Sequence, residues 1–153
     1  GYRNVSVEEI PVDENTLTIE MVPATYEGVQ QIASIDPYAL QQMETTAGTM
    51  SVKFEPYGDT GNMVACTDTV GSILVRGVEF TKKARSLTIC SMGTGRIEVR
   101  ENHPEGKLVA IIDADSGEMS ETKVRLAASP ASVTDLCFLF KGAELKIDSW
   151  QFR

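Results

Sequence analysis

From about residue 50 onward, turn-forming clusters recur at short intervals: Gly93-Thr94-Gly95, His103-Pro104-Glu105-Gly106, Asp115-Ser116-Gly117, Ser129-Pro130 and Lys141-Gly142. Glycine admits positive φ and proline fixes φ, so such clusters cut regular structure into short pieces. The pieces between them carry strand periodicity. Arg85-Ser86-Leu87-Thr88-Ile89-Cys90, Arg96-Ile97-Glu98-Val99-Arg100 and Lys123-Val124-Arg125-Leu126 alternate apolar and polar residues, the pattern of a strand with one face on a core and one in water. Residues 107–113 and 135–141 are more continuously apolar and read as central strands covered on both faces. Only residues 38–47 resemble a helix, and Thr45-Thr46 opposes extending it. Many short strands so spaced predict an all-β chain, a sandwich or barrel.

The first thirty-odd residues read differently. Residues 4–10 and 16–21 are plausible strands joined by the polar turn Pro11-Val12-Asp13-Glu14-Asn15, and a boundary is expected near Asp36, dividing the chain into 1–36 and 37–153. A length of 153 residues suits one domain plus an appended segment. The chain opens Gly1-Tyr2-Arg3 with neither Met nor a signal-peptide pattern, which reads as a piece of a longer protein behind a tag remnant.

Charge narrows the partners. Twenty-two acidic and 14 basic residues give a formal net charge of −8, so the surface repels phosphate and argues against nucleic acid. No apolar run approaches the ~20 residues needed to span a bilayer, so membrane insertion is not expected. A neutral polymer such as a polysaccharide fits this surface.

Catalytic sets are missing. His103, the single histidine, lies in a loop, where a solvated turn residue is the simple reading and a triad would have to rest on it alone. No GxSxG, P-loop, HExxH or GxGxxG occurs. Glu8 and Glu9 are adjacent in a strand and point to opposite faces. Asp113 and Asp115 share a face at a strand end, where turn capping explains them as well as an acid/base pair or a cation site. Cys66, Cys90 and Cys137 have no metal or redox spacing, and buried thiols are expected.

Several segments recur in a recognisable order: Gly71-Ser72-Ile73-Leu74-Val75, Val78-Glu79-Phe80, Arg96-Ile97-Glu98-Val99-Arg100, Gly106-Lys107-Leu108-Val109-Ala110, Asp135-Leu136-Cys137-Phe138-Leu139-Phe140-Lys141-Gly142 and Ile147-Asp148-Ser149-Trp150-Gln151-Phe152. This succession, over residues 37–152, resembles a family 6 carbohydrate-binding module. It implies an antiparallel β-sandwich of jelly-roll type. Ahead of it, Gly28-Val29-Gln30-Gln31-Ile32, Asp36-Pro37-Tyr38 and Met43-Glu44-Thr45 are similar to the junction in family 43 glycoside hydrolases that carry this module at their C-terminus. Arg3-Asn4-Val5-Ser6-Val7-Glu8 resembles the closing strand of their catalytic domain.

The resemblance implies a non-catalytic module of a secreted, periplasmic or cell-surface enzyme acting on xylan or arabinoxylan, of arabinofuranosidase or xylosidase type. Its expected partners are plant cell-wall polysaccharide and the catalytic domain of the same chain. The alternative is a structural module that docks and orients that domain without binding glycan. Two sites carry over. One is a structural calcium held by Gln42, Glu44 and Asp148; alternation places Gln42 and Glu44 on one face, and an amide oxygen can stand for a carboxylate at calcium. The other is a sugar cleft. Family members stack a sugar between a Tyr and a Trp and bond its hydroxyls with an Asn, whereas this chain has Val64-Ala65-Cys66, Ser116-Gly117-Glu118-Met119 and Lys146 there. The expected loop contacts are therefore Tyr57, Cys66, Glu118, Met119 and Lys146, in a degenerate cleft, with Trp150 reserved for the core.

Overall fold

The computed structural model describes residues 10–13, 15–16, 18–19, 21–23, 33–58 and 61–153. The chain divides into two compact units, Gly1–Ala33 and Ser34–Arg153. In the first, β1 (Val12–Asp13) pairs antiparallel with β2 (Thr18–Ile19). The Asp13 carboxylate accepts the Asn15 and Thr16 amides at 2.8 and 3.3 Å and closes the turn between them. The strand expected over residues 4–10, Ile10 apart, the residues 3–8 likened to a catalytic-domain strand, and residues 28–32 lie outside the described residues.

The second unit is an antiparallel β-sandwich with no helix among the described residues. Its strands are β3 (Gln41–Gln42), β4 (Gly48–Met50), β5 (Val52–Tyr57), β6 (Gly61–Cys66), β7 (Val70–Glu79), β8 (Ser86–Glu101), β9 (Leu108–Arg125), β10 (Val133–Lys141) and β11 (Lys146–Phe152). They form one folded-over sheet in the order β4-β7-β10-β8-β11-β6-β5, with β3 also on β11 and β9 also on β8.

The fold-over happens within β8. Its first half pairs with β11, from Leu87↔Phe152 to Met92↔Lys146. Its second half pairs with β10, from Arg96↔Lys141 to Glu101↔Leu136. The β8–β9 hairpin thus belongs to both layers and bends between them. Gly93-Thr94-Gly95 and Asp115-Ser116-Gly117, expected as turns, lie inside continuous strands of 16 and 18 residues. They supply the bend instead. Gly93 sits at φ 91°, and a Cβ there would lie 2.1 Å from the Glu144 carbonyl oxygen, so glycine alone allows the close approach. Residues 107–113 are not a central strand either: among the described residues β9 pairs only with β8. Its core face is Ala110, Ile112 and Ala114, while Ile111 and Asp113 are exposed. β10 is central, between β7 and β8.

The core fills the space between the layers. Phe138 and Phe140 come from β10, Trp150 and Phe152 from β11, and all four are fully buried. The Phe138 and Trp150 rings meet at 5.4 Å, and Phe152 stands edge-on to Trp150 at 5.8 Å and to Phe80 at 5.0 Å. Burial of each such side chain contributes on the order of 2–3 kcal/mol, and the tilted geometry suits the ring quadrupoles. Trp150 is a core residue, as its place in the closing strand implied.

Candidate functional site

Where the hairpin bends, the layers part and leave a cavity of about 500 Å³, lined by Lys53 and Glu55 of β5, Ala65 and Cys66 of β6, Met92 and Gly93 of β8, Gly117 of β9, and the 143–146 segment. Strand register assembles it. Lys53 stands opposite Ala65, Ala65 opposite Lys146, and Lys146 opposite Met92, so one row crosses four strands. On β9 the ladder loses register: Ser116 faces Gly93 and Ser120 faces Ser91, so Gly117, Glu118 and Met119 bulge out opposite the single Met92. The Ser116 hydroxyl donates to the Glu118 carbonyl at 2.7 Å and holds the bulge.

The expected cleft residues fare unequally. Cys66 and Lys146 line the cavity together; Tyr57, Glu118 and Met119 do not. Tyr57 ends β5 opposite Gly61 and is partly exposed, Glu118 is exposed and Met119 half-buried on the bulge, beside the lining residue Gly117. Lys146 is not a free cation. Its Nζ donates to Glu55 Oε2 at 2.8 Å, and Lys53 reaches Glu55 Oε1 at 2.8 Å. These two ammonium partners, Lys146 first, hold the Glu55 carboxyl down from the ordinary 4.5 to about 2. With Glu144 also lining the cavity, two positive and two negative side chains balance. Burial pushes the Cys66 thiol up to about 11, so it stays protonated and acts as an apolar wall. Sequence reasoning passed over Lys53, Glu55, Ala65 and Met92. Strand alternation already placed Lys53, Glu55 and Tyr57 on one face; what was missing was which strands lie beside it.

The three calcium candidates come from adjacent segments. Gln42 pairs with Ser149 on β11, and the Met43 amide, between Gln42 and Glu44, donates to the Asp148 carbonyl at 2.7 Å. Glu44 Oε1 accepts the Asn62 amide at 3.1 Å, while its Oε2 is buried with no hydrogen-bond partner. An orphaned carboxylate oxygen is costly, and an all-oxygen donor set suits a hard cation. The residues fit the ion the resemblance implies. Among the described residues no group of three or more His, Cys, Asp or Glu has metal-binding geometry; this trio has two carboxylates and an amide.

The remaining candidates have structural partners. Asp113 accepts Arg96 Nε at 2.7 Å and Asp115 accepts the Thr94 hydroxyl at 3.2 Å, each across the β8–β9 ladder. His103 is exposed in the turn between β8 and β9, its ring accepting the Glu105 amide at 3.3 Å. All three cysteines are free, Cys66 and Cys137 buried and Cys90 half-buried. No helix of the described residues is long and apolar enough to cross a membrane.

This sandwich is the fold of the family 6 carbohydrate-binding modules. A module of Clostridium stercorarium solved with cellobiose superposes at a TM-score of 0.73, with 18% identity over 80% of this chain and 98% of that one. One of Clostridium cellulolyticum solved with xylose gives 0.71, with 16% identity over 78% and 99%. A family 43 arabinoxylan arabinofuranohydrolase of Bacillus subtilis, solved with cellotetraose, superposes at 0.84, with 27% identity over 95% of this chain and 33% of that one. In sequence, the arabinoxylan arabinofuranohydrolase of Bacillus subtilis strain 168 is 30% identical over 167 residues, covering 99% of this chain. The chain spans about a third (32%) of that relative's length. No protein-family model matches the chain.

Proposed function

We propose that the chain is the non-catalytic, carbohydrate-binding-type module of a secreted glycoside hydrolase that degrades arabinoxylan, and that its cleft is degenerate. What carries the reading is the similarity of almost the whole chain to one third of an arabinoxylan arabinofuranohydrolase, joined to the binding-module fold of that third. Degeneracy rests on the cavity lining. It holds Ala65, Cys66 and Met92 and no aromatic ring, so the flat apolar surface on which a pyranose stacks is missing. By analogy with base–aromatic stacking, each missing platform removes about 1–3 kcal/mol. The ion-paired Lys53, Glu55 and Lys146 offer polar contacts, but each must leave a partner to make one.

Titration calorimetry with xylohexaose is expected to show weak or undetectable binding. Clear micromolar binding lost in Lys146→Ala would overturn the degenerate cleft. The same lining supports a second reading, a structural module that docks and orients a catalytic domain. Whole arabinoxylan separates the two, since a module with only a docking role leaves that polymer unbound. We propose also that Gln42, Glu44 and Asp148 hold a structural calcium, on the support of the unpartnered Glu44 oxygen.

A further inference from the structure

The chain is strongly acidic, yet three cations meet at one place without an acid among them. Lys83, Arg85 and Arg125 line a cavity of about 410 Å³ completed by Ala84, Leu126 and residues 127–129. None of the three takes part in an ion pair among the described residues, whereas seven other Lys and Arg side chains do. All three are exposed, so in a chain with 22 acidic and 14 basic residues they form a local positive patch that raises the concentration of an anion beside them.

The cavity is held in place on both sides. The Arg85 and Ser86 amides both donate to the Arg153 carbonyl, at 2.6 and 2.9 Å, and the Leu126 amide donates to the Arg85 carbonyl at 3.1 Å. Ser86 stands opposite Arg125 in the ladder. Ala84 is buried, Tyr38 donates its hydroxyl to the Lys82 carbonyl, and the Lys82 ammonium lies 4.5 Å from the Tyr38 ring centre. The two arginines therefore project from hydrogen-bonded backbone.

We propose that this cavity is a second ligand site, taking the carboxylate of a uronic-acid residue on a polysaccharide. Guanidinium groups match carboxylates with a planar, two-pronged fork. The volume falls within the range of small-molecule sites and is wider than a bare phosphate needs, and Ser129 adds a polar group beside the cations. Arg85 and Gly93 of the first cleft are eight residues apart, about 26 Å of extended strand, so the sites are distinct. The choice of a sugar acid over other carboxylates rests on the proposed function; the anion site itself rests on the three cations.

The test is affinity electrophoresis and calorimetry of the whole chain at low ionic strength against glucuronoxylan, polygalacturonate, neutral arabinoxylan and inorganic phosphate. Retardation by the uronate polymers is expected, falling about tenfold or more in the double variant Arg85→Ala/Arg125→Ala and lost at about 0.5 M salt, as screening of exposed charges requires. Arg96→Ala, which removes an exposed cation that lines neither cavity, should leave it unchanged, and melting curves should show all variants folded. Uronate binding that ignores the double variant sinks the site. Tighter binding of phosphate than of either polymer sinks the uronate assignment. Binding of neutral arabinoxylan alone, unaffected by the arginines, leaves the proposed function standing and removes this inference.

Discussion

Glu55 shows how one residue changes the meaning of another. The resemblance leads to the expectation that Lys146 takes the place of a hydroxyl-bonding Asn, but its ammonium is bonded to Glu55. A carboxyl held down from 4.5 to about 2 contributes stability that is present above the ordinary value and lost as the pH falls through about 2. Carbon-detected titration of Glu55 is expected to show that low midpoint, and Lys146→Ala should move it back up. A wild-type midpoint near 4.5 would mean that the ion pair does not persist in solution. The cleft's polarity was legible as a Lys in the motif; its neutralisation was not, because Glu55 lies 91 residues away in the chain.

At the level of elements, two strands decide the site. β8 and β9 are long because glycines let them bend rather than end, and the bend opens the cleft. Local turn chemistry cannot separate these outcomes: the residues that terminate a strand also kink one that has partners on both sides. β3 is only two residues long and depends on β11. A cation joining Gln42 and Glu44 to Asp148 would clip this short strand to the last one. Adding calcium to chelator-treated protein is expected to raise the melting temperature, by RT ln(1 + [L]/Kd) in free energy or about 2.7 kcal/mol at a hundredfold excess over Kd. Glu44→Ala should abolish the response. Identical melting curves with and without calcium would remove the ion from the fold.

For the whole molecule, the division at Ser34 carries the main consequence. All buried core residues among those described fall between Met43 and Phe152, so the sandwich holds its own core. A chain beginning at Ser34 is expected to unfold in one cooperative step, within about 4 °C of the full-length protein, the shift that roughly 1 kcal/mol produces at this size. A larger loss, or a broad transition, would show that residues 1–33 belong to the folding unit.

Strand periodicity, turn residues and an ordered set of motifs determined the β class, the central β10 strand, the burial of Trp150 and the module that this chain resembles, because each is written in neighbouring residues. Tertiary structure alone decided that four predicted strands merge into two, that β9 lies at an edge, and that Tyr57, Glu118 and Met119 stand off the cleft while Lys53 and Glu55 enter it. It also brought Lys83, Arg85 and Arg125 to one cavity. These outcomes depend on which distant strands lie side by side. Pairing is chosen by the burial of the whole core, and no local window of sequence contains that choice.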